Sequence, residues 1–216
     1  MFKAITRMFS PEPKTPPVVV PEILRLTIGR VAEIDPLLLR LLGADAKFNM
    51  PANTLEIAAQ GLIKLEDGSY VHRFYTEQHV MIQVVSSERD GDEGVNDVTL
   101  FAPLDSLYPS SDAEFRVWLD KIRQTRFRLQ DGTVYDRFWF DNSDLPQDPV
   151  QMLETVYDDR YGNETRQIHQ TSMLYCRTLA SGTNEMLMAS IERQDRSERT
   201  VEMMVGVPLS PEQITA

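Results

Sequence analysis

The chain has 216 residues, of which 42% are hydrophobic and 25% are charged. This composition is ordinary for a globular protein and excludes a generally disordered chain. The formal net charge of -11 disfavours nucleic-acid binding, because an acidic protein repels phosphate backbones. A single cysteine, Cys176, excludes a disulfide scaffold, so the cytoplasm is the simplest location.

The first 21 residues differ in composition from the rest. Residues 11–21 contain five prolines, which favour an extended tether. On a helix, one side of the preceding tip would carry four apolar side chains: Phe2, Ile5, Met8 and Phe9. We interpret this tip as an amphipathic contact for a membrane or a partner. The alternative is a disordered start, because so short a helix is unstable alone in water.

Residues 22–216 are expected to form a single globular domain, which could consist of two lobes at 22–125 and 126–216. Two short helices are predicted within it. The first covers residues 35–42, where Asp35 is placed as N-cap and Gly43 ends the helix. The second covers residues 112–123 and carries an apolar stripe at helical spacing: Phe115, Trp118, Leu119 and Ile122.

Most of the remaining chain alternates apolar and polar residues between short polar tips, which predicts antiparallel hairpins and meanders in an α+β fold. Two decapeptides, LEDGSYVHRF at Leu65 and LQDGTVYDRF at Leu129, are nearly the same. Each contains Asp-Gly, which is typical of a two-residue hairpin turn. Folding the chain there places Ile63 opposite His72 and Arg126 opposite Arg137.

The similarity continues into the strands that follow each decapeptide. We interpret it as an internal duplication that builds two related antiparallel sheets. The alternative is that Leu-x-Asp-Gly recurs because it is good hairpin chemistry. Neither interpretation specifies a function.

The second hairpin is predicted to concentrate arginine and aromatic side chains on one face. This face would carry Arg126, Arg128, Tyr135, Arg137 and Trp139, with Phe127 and Phe138 on the core face. Because arginine forks carboxylates and stacks on rings, the face could bind an acidic partner or a carboxylate ligand. The alternative is that acidic residues of the same chain pair with these arginines.

No catalytic or metal-binding motif is apparent in the sequence. The three histidines lack zinc spacing, and the acidic tip at residues 90–97 does not fit an EF-hand loop. No Walker loop, G-x-G-x-x-G or G-x-S-x-G pattern occurs. No run of about 18 apolar residues predicts a transmembrane helix. We therefore expect a non-catalytic protein without a cofactor or metal.

The order of these features resembles the YjfK-like family of bacterial proteins of unknown function. The resemblance rests on the basic tip, the proline tether, LEDGSYVHRFY, MLETVYDD, MLYCRTL and the closing EMLMASIE and VEMMVGVPLS. It spans nearly the whole chain but assigns no catalytic residues. It implies an accessory part in an envelope-stress or polyamine-linked system.

The leading hypothesis is a cytoplasmic interaction protein that docks on protein partners, with peripheral contact at the inner face of the membrane. The alternative hypothesis is a small-ligand protein, for example a polyamine-binding protein or an enzyme, that uses a cleft between the two lobes.

Overall fold

The structure is a computed structural model that describes residues 19–140, 144–194 and 199–216. It contains two α-helices, α1 (Pro36–Leu42) and α2 (Asp112–Ile122), within these residues. The strands are β1 (Val31–Ile34), β2 (Thr54–Lys64), β3 (Tyr70–Thr76), β4 (Met81–Ser86), β5 (Val95–Leu107), β6 (Arg126–Arg128), β7 (Val134–Arg137), β8 (Val150–Tyr157), β9 (Thr165–Thr178), β10 (Asn184–Gln194), β11 (Arg199–Pro208) and β12 (Ile214–Thr215). The fold is therefore mostly antiparallel β, with few helices as predicted.

Both helices lie within one residue of their predicted bounds. The Asp35 carboxylate accepts a hydrogen bond from the Leu37 amide at 2.9 Å, and Gly43 has a φ of 91° at the end of α1. The Ser111 hydroxyl accepts a hydrogen bond from the Glu114 amide at 3.3 Å. These caps satisfy backbone amides that have no partner inside the helix.

Eight strands close into an antiparallel barrel in the order β2, β3, β4, β5, β11, β10, β9 and β8, because β8 also pairs with β2. The first half of β2 pairs instead with β1, which β12 extends. The last part of β9 pairs with β7, which β6 extends. The barrel wall is thus two consecutive four-strand meanders, each with a short sheet extension beside it.

The two lobes predicted from the sequence do not form separate sheets. Strands from both sides of residue 125 pair directly in the barrel, β5 with β11 and β2 with β8. The first of the two similar hairpins, β2–β3, belongs to the barrel wall, whereas the second, β6–β7, lies in a sheet extension.

The predicted register of both hairpins is wrong by one residue. Three residues, not two, connect Leu65 to Ser69, and the Leu65 amide donates to the Ser69 carbonyl at 2.9 Å. The same turn connects Leu129 to Thr133 and also Leu179 to Thr183. In each turn the third connecting residue is a glycine at positive φ: Gly68, Gly132 and Gly182. Its recurrence in a third hairpin favours turn chemistry as the reason for the similar decapeptides.

Alternate residues of the barrel strands face two different cores. One face packs in the main hydrophobic core together with Leu38 of α1 and Ile122 of α2. The other face lines the barrel interior, where a smaller apolar cluster contains Met81, Phe101 and Met188. Because both faces are mostly buried, the strand sequences are long apolar runs interrupted by a few polar residues.

Candidate functional site

The barrel interior holds a buried polar network centred on Arg73. Its guanidinium donates to Glu154 Oε2 at 3.0 Å, to Gln170 Oε1 at 2.6 Å and to Gln83 Oε1 at 3.0 Å, and it contacts Met188 Sδ at 3.5 Å. These partners lie on β8, β9, β4 and β10, whereas Arg73 lies on β3. One side chain can reach strands on opposite sides of the barrel only from the inside.

The backbone of β2 leaves room for this network at Gly61. A Cβ atom at this position would lie 1.6 Å from Glu154 Oε1. Both Glu154 oxygens are occupied, because Tyr75 donates to Oε1 at 2.7 Å and Gln170 donates to Oε2 at 2.7 Å. Burial lowers the pKa of Arg73, but Glu154, Tyr75 and Glu192 together raise it by more, so the pKa lies above its usual value. This network joins the strands from the inside, and both oxygens of its carboxylate already have partners.

A second buried network ties the segment before β2 to the barrel. Glu185 Oε1 accepts hydrogen bonds from the Lys47 and Phe48 amides at 2.6 and 2.8 Å. Its other oxygen accepts from the Tyr135 hydroxyl and from Arg177 Nε, both at 2.8 Å. Burial and the Glu185 carboxylate raise the pKa of Tyr135 above its usual value. This network is also fully paired within the chain.

The structure does not bring the predicted arginine and aromatic strip together on one face. Tyr135 lies opposite Phe127, and both are fully buried. Arg126 lies opposite Asp136, not Arg137, and pairs with it at 2.9 Å. The physical reason is the three-residue turn, which moves every residue of β7 to the opposite face.

The other members of that strip lie in different environments. Arg128 is exposed and donates to the Gly132 carbonyl at 3.3 Å. Arg137 is half-buried and donates to the Leu145 carbonyl at 3.0 Å. Trp139 is half-buried and packs against both hydrophobic clusters. A binding role for these residues stays a prediction.

A groove on the outside of the barrel lies between α2 and the strands β8, β9 and β10. It has a volume of about 620 Å³. Its apolar lining residues are Phe115, Leu119, Met152, Leu153 and Ile191. Glu154 and Glu192 face the barrel interior. Successive side chains of a strand point to opposite faces, so their neighbours Leu153 and Ile191 point outward into the groove.

The charged side chains of the groove are mostly basic: Arg116, Arg193 and Arg199, with the single acid Asp112. Arg199 forms an ion pair with Asp112, and its guanidinium lies 4.0 Å from the centre of the Phe115 ring. Within the described part of the chain, neither Arg116 nor Arg193 has a carboxylate within ion-pairing distance. As far as the described residues show, the groove thus joins an apolar surface to arginines without a carboxylate partner, which suits an anionic amphipathic ligand.

Sequence analysis missed this groove, although it predicted α2 and antiparallel strands in the chain that follows it. Phe115 and Leu119 belong to the predicted apolar stripe of α2. The available signal was the unexplained arginine on each element, Arg116 on α2 and Arg193 on β10. Only the closure of the barrel shows that these two residues line one groove.

Two other sequence predictions concern metals and membranes. No group of three or more His, Cys, Asp or Glu side chains among the described residues could hold a metal ion. None of the helices in this part of the chain has the length and apolar character needed to cross a membrane. The predicted tip residues Phe2, Ile5, Met8 and Phe9 lie outside the described residues.

The fold and the groove define a mostly antiparallel β protein with a filled, closed barrel and a basic groove on its outer face. The chain belongs to the family described as a protein of unknown function (DUF2491), whose match covers residues 1–215. It is similar to the uncharacterized protein YjfK of Escherichia coli, with 25% identity over 190 residues, or 86% of this chain and 84% of that protein. No solved structure matches the chain. The family predicted from the sequence is confirmed, and neither description specifies an activity.

Proposed function

We propose that the protein is a non-catalytic interaction protein that docks a partner in the groove between α2 and β8–β10. The observation that carries this proposal is an apolar lining beside Arg116 and Arg193, two arginines on the outside of the barrel that have no carboxylate partner among the described residues. Apolar contacts supply most of the binding energy at an interface, and arginine supplies specificity at its rim.

The barrel interior is a weaker candidate for the binding site. Its central arginine already has a carboxylate and two amide partners, and Met81, Phe101 and Met188 pack in the same interior. A ligand there would have to displace hydrogen bonds that are shielded from water. The outer groove requires no such rearrangement.

The small-ligand alternative places the ligand in a cleft between two lobes. The groove lies between α2 and strands of the second predicted lobe, and its charge suits an anion better than a polyamine. A polyamine link, an envelope-stress role and the internal duplication stay predictions, and docking in the groove depends on none of them.

The N-terminal tip would supply a second, weaker contact in this proposal. Residue 19 is held at the body, because Arg89 donates to the Val19 carbonyl at 3.2 Å, and Val20 is buried. The chain before it could therefore reach a membrane or a membrane-bound partner while the groove holds another segment. Two weak contacts on one chain bind more tightly than either alone.

Site-specific photocrosslinking in the native cell tests the docking site. A photoreactive residue would replace Leu153 in the groove, and a matched control would replace Leu41, which is 68% exposed on α1. We expect the same partner to crosslink at position 153 and, in a second variant, at position 119, but not at position 41. Equal crosslinking at positions 41 and 153, or none at positions 119 and 153, would contradict docking in the groove.

A further inference from the structure

We infer that the groove receives an acidic, partly apolar segment of a protein partner, and that Asp112 occupies Arg199 as an internal competitor until that segment binds. This inference rests on the proposed function, because it names the chemistry of the partner that docks in the same groove. It states which kind of segment the groove prefers, and it predicts one substitution that should increase the affinity for that segment.

The Asp112–Arg199 pair shows how the groove holds a carboxylate. The Arg199 guanidinium lies over the buried Phe115 ring, so its orientation is fixed by the apolar lining. Stacking on an aromatic ring leaves the N–H groups at the edge of the guanidinium free to bind a carboxylate. The structure already contains such a carboxylate, which comes from the first turn of α2.

Asp112 is suited to be displaced. Its side chain is 75% exposed, whereas the Arg199 side chain is 39% exposed. An exposed ion pair contributes little to stability, because water and salt compensate both charges. An incoming carboxylate therefore replaces one weak pair with an equivalent one, and the released Asp112 returns to water near the positive end of the helix.

Arg116 and Arg193 favour an acidic segment over a neutral one. Neither has a carboxylate partner within the residues described, and both line the same groove as Arg199. The whole chain carries a net charge of -11, so a second copy of it or another acidic body is repelled at long range. Recognition must then come from short-range pairs with these arginines, and it should weaken as salt screens them.

The pocket size favours a peptide over a large folded surface. A volume of about 620 Å³ accommodates a few side chains. The apolar lining and the arginines occupy the same groove, which suits a segment that carries both leucine-like and acidic side chains. A fatty-acid anion also combines an apolar chain with a carboxylate, so the experiment must distinguish a fatty acid from a peptide.

The experiment measures affinity by fluorescence anisotropy with the full-length chain. The probe is a short peptide of leucine and glutamate residues, compared with peptides in which glutamine or lysine replaces glutamate, and with laurate. We expect the glutamate peptide to bind tightest and to lose affinity in high salt. Arg116→Gln and Arg193→Gln should each weaken binding by about twofold to fivefold, which is typical for loss of an exposed charge pair.

Asp112→Asn is the decisive variant, because it should tighten binding of the glutamate peptide by about twofold to fivefold. Asp120→Asn removes the same charge from α2 outside the groove and is the matched control, as is Arg40→Gln on α1 for the arginine variants. An unchanged affinity in Asp112→Asn, equal binding of the glutamine peptide, or binding of laurate alone would overturn the inference. Crosslinks at positions 119 and 153 without preference for glutamate would leave groove docking standing and contradict only its acidic specificity.

Discussion

The arginine inside the barrel and the arginines in the outer groove have the same chemistry but opposite surroundings. Arg73 has a side chain that is 3% exposed and meets a carboxylate and two amide oxygens. Arg116 and Arg193 lie at the surface and have no carboxylate partner among the described residues. An arginine whose partners are built into the chain stabilises the fold, whereas one without them is available to a ligand.

The largest effect on the free energy of unfolding is expected at the buried Arg73–Glu154 pair. Replacing Arg73 by Met should lower the free energy of unfolding by about 3–5 kcal/mol, because Glu154 is left as an uncompensated buried charge. Urea denaturation checks this result. The matched change Arg193→Met should shift the same quantity by about 0.5 kcal/mol or less. Similar losses in both variants would show that the two regions do not differ as described.

The glycine beside the network gives the next largest effect. Gly61→Ala should lower the free energy of unfolding by about 1–3 kcal/mol, because the new methyl group would overlap the Glu154 carboxylate. A double-mutant cycle with Glu154→Ala separates this clash from a general strand effect. If Gly61→Ala costs as much in the Glu154→Ala background as in the wild type, the close approach is not the cause.

The pH dependence of stability sharpens the comparison through Glu192, which faces the interior near the network. Burial raises the pKa of Glu192 to about 7, with further upward effects from Glu154 and Glu202 against a downward effect of Arg73. The folded state then holds a proton that the unfolded state has lost above its ordinary pKa of about 4.3. Its contribution is therefore complete below that value and is lost as the pH rises towards 7.

Glu192→Gln should remove this contribution. Between about pH 4.5 and 7 the wild-type free energy of unfolding should fall relative to the variant, by at most about 1.4 kcal/mol per pH unit. Comparing the two proteins cancels the opposite effect of buried His72, whose pKa is lowered by burial. Urea titrations across this range measure the difference. Parallel curves for the wild type and the variant would contradict the shifted pKa.

The smallest effect is expected at the predicted arginine strip. Arg126 and Asp136 are 74% and 71% exposed, so their ion pair is screened by water. Arg126→Ala should change the free energy of unfolding by about 1 kcal/mol or less, and should leave binding of the glutamate peptide unchanged. Thermal melting and the anisotropy assay measure these two quantities. A clear loss of peptide binding would move the docking site to the β6–β7 hairpin.

Local signals in the sequence were sufficient for the helices and the turns. Asp35 and Ser111 specify helix starts through hydrogen bonds to near neighbours, Gly43 ends α1 at a positive φ, and each Asp-Gly marks a real turn. The register was not predictable from that signal, because two-residue and three-residue turns both accept Asp-Gly. One residue of difference then placed Tyr135 in the core instead of on the binding strip.

Long-range features could not be read from the sequence. Closure of the barrel depends on β8 pairing with both β2 and β9, and nothing local in VQMLETVY specifies two partners. The buried ion pair joins residues 81 positions apart, and the groove joins α2 to three strands that follow it. Apolar alternation could indicate that these strands are buried, but it could not indicate which residues meet across the barrel.

Hydrogen exchange with and without the glutamate peptide tests the central claim most directly, because it locates binding in the intact chain. We predict that the peptide slows exchange in residues 112–119, 151–153, 169–171 and 191–193, which line the groove. Exchange at residues 36–42 of α1 should stay the same. Protection of α1 or of the β6–β7 hairpin, with no change along the groove, would contradict the assignment of the groove as the docking site.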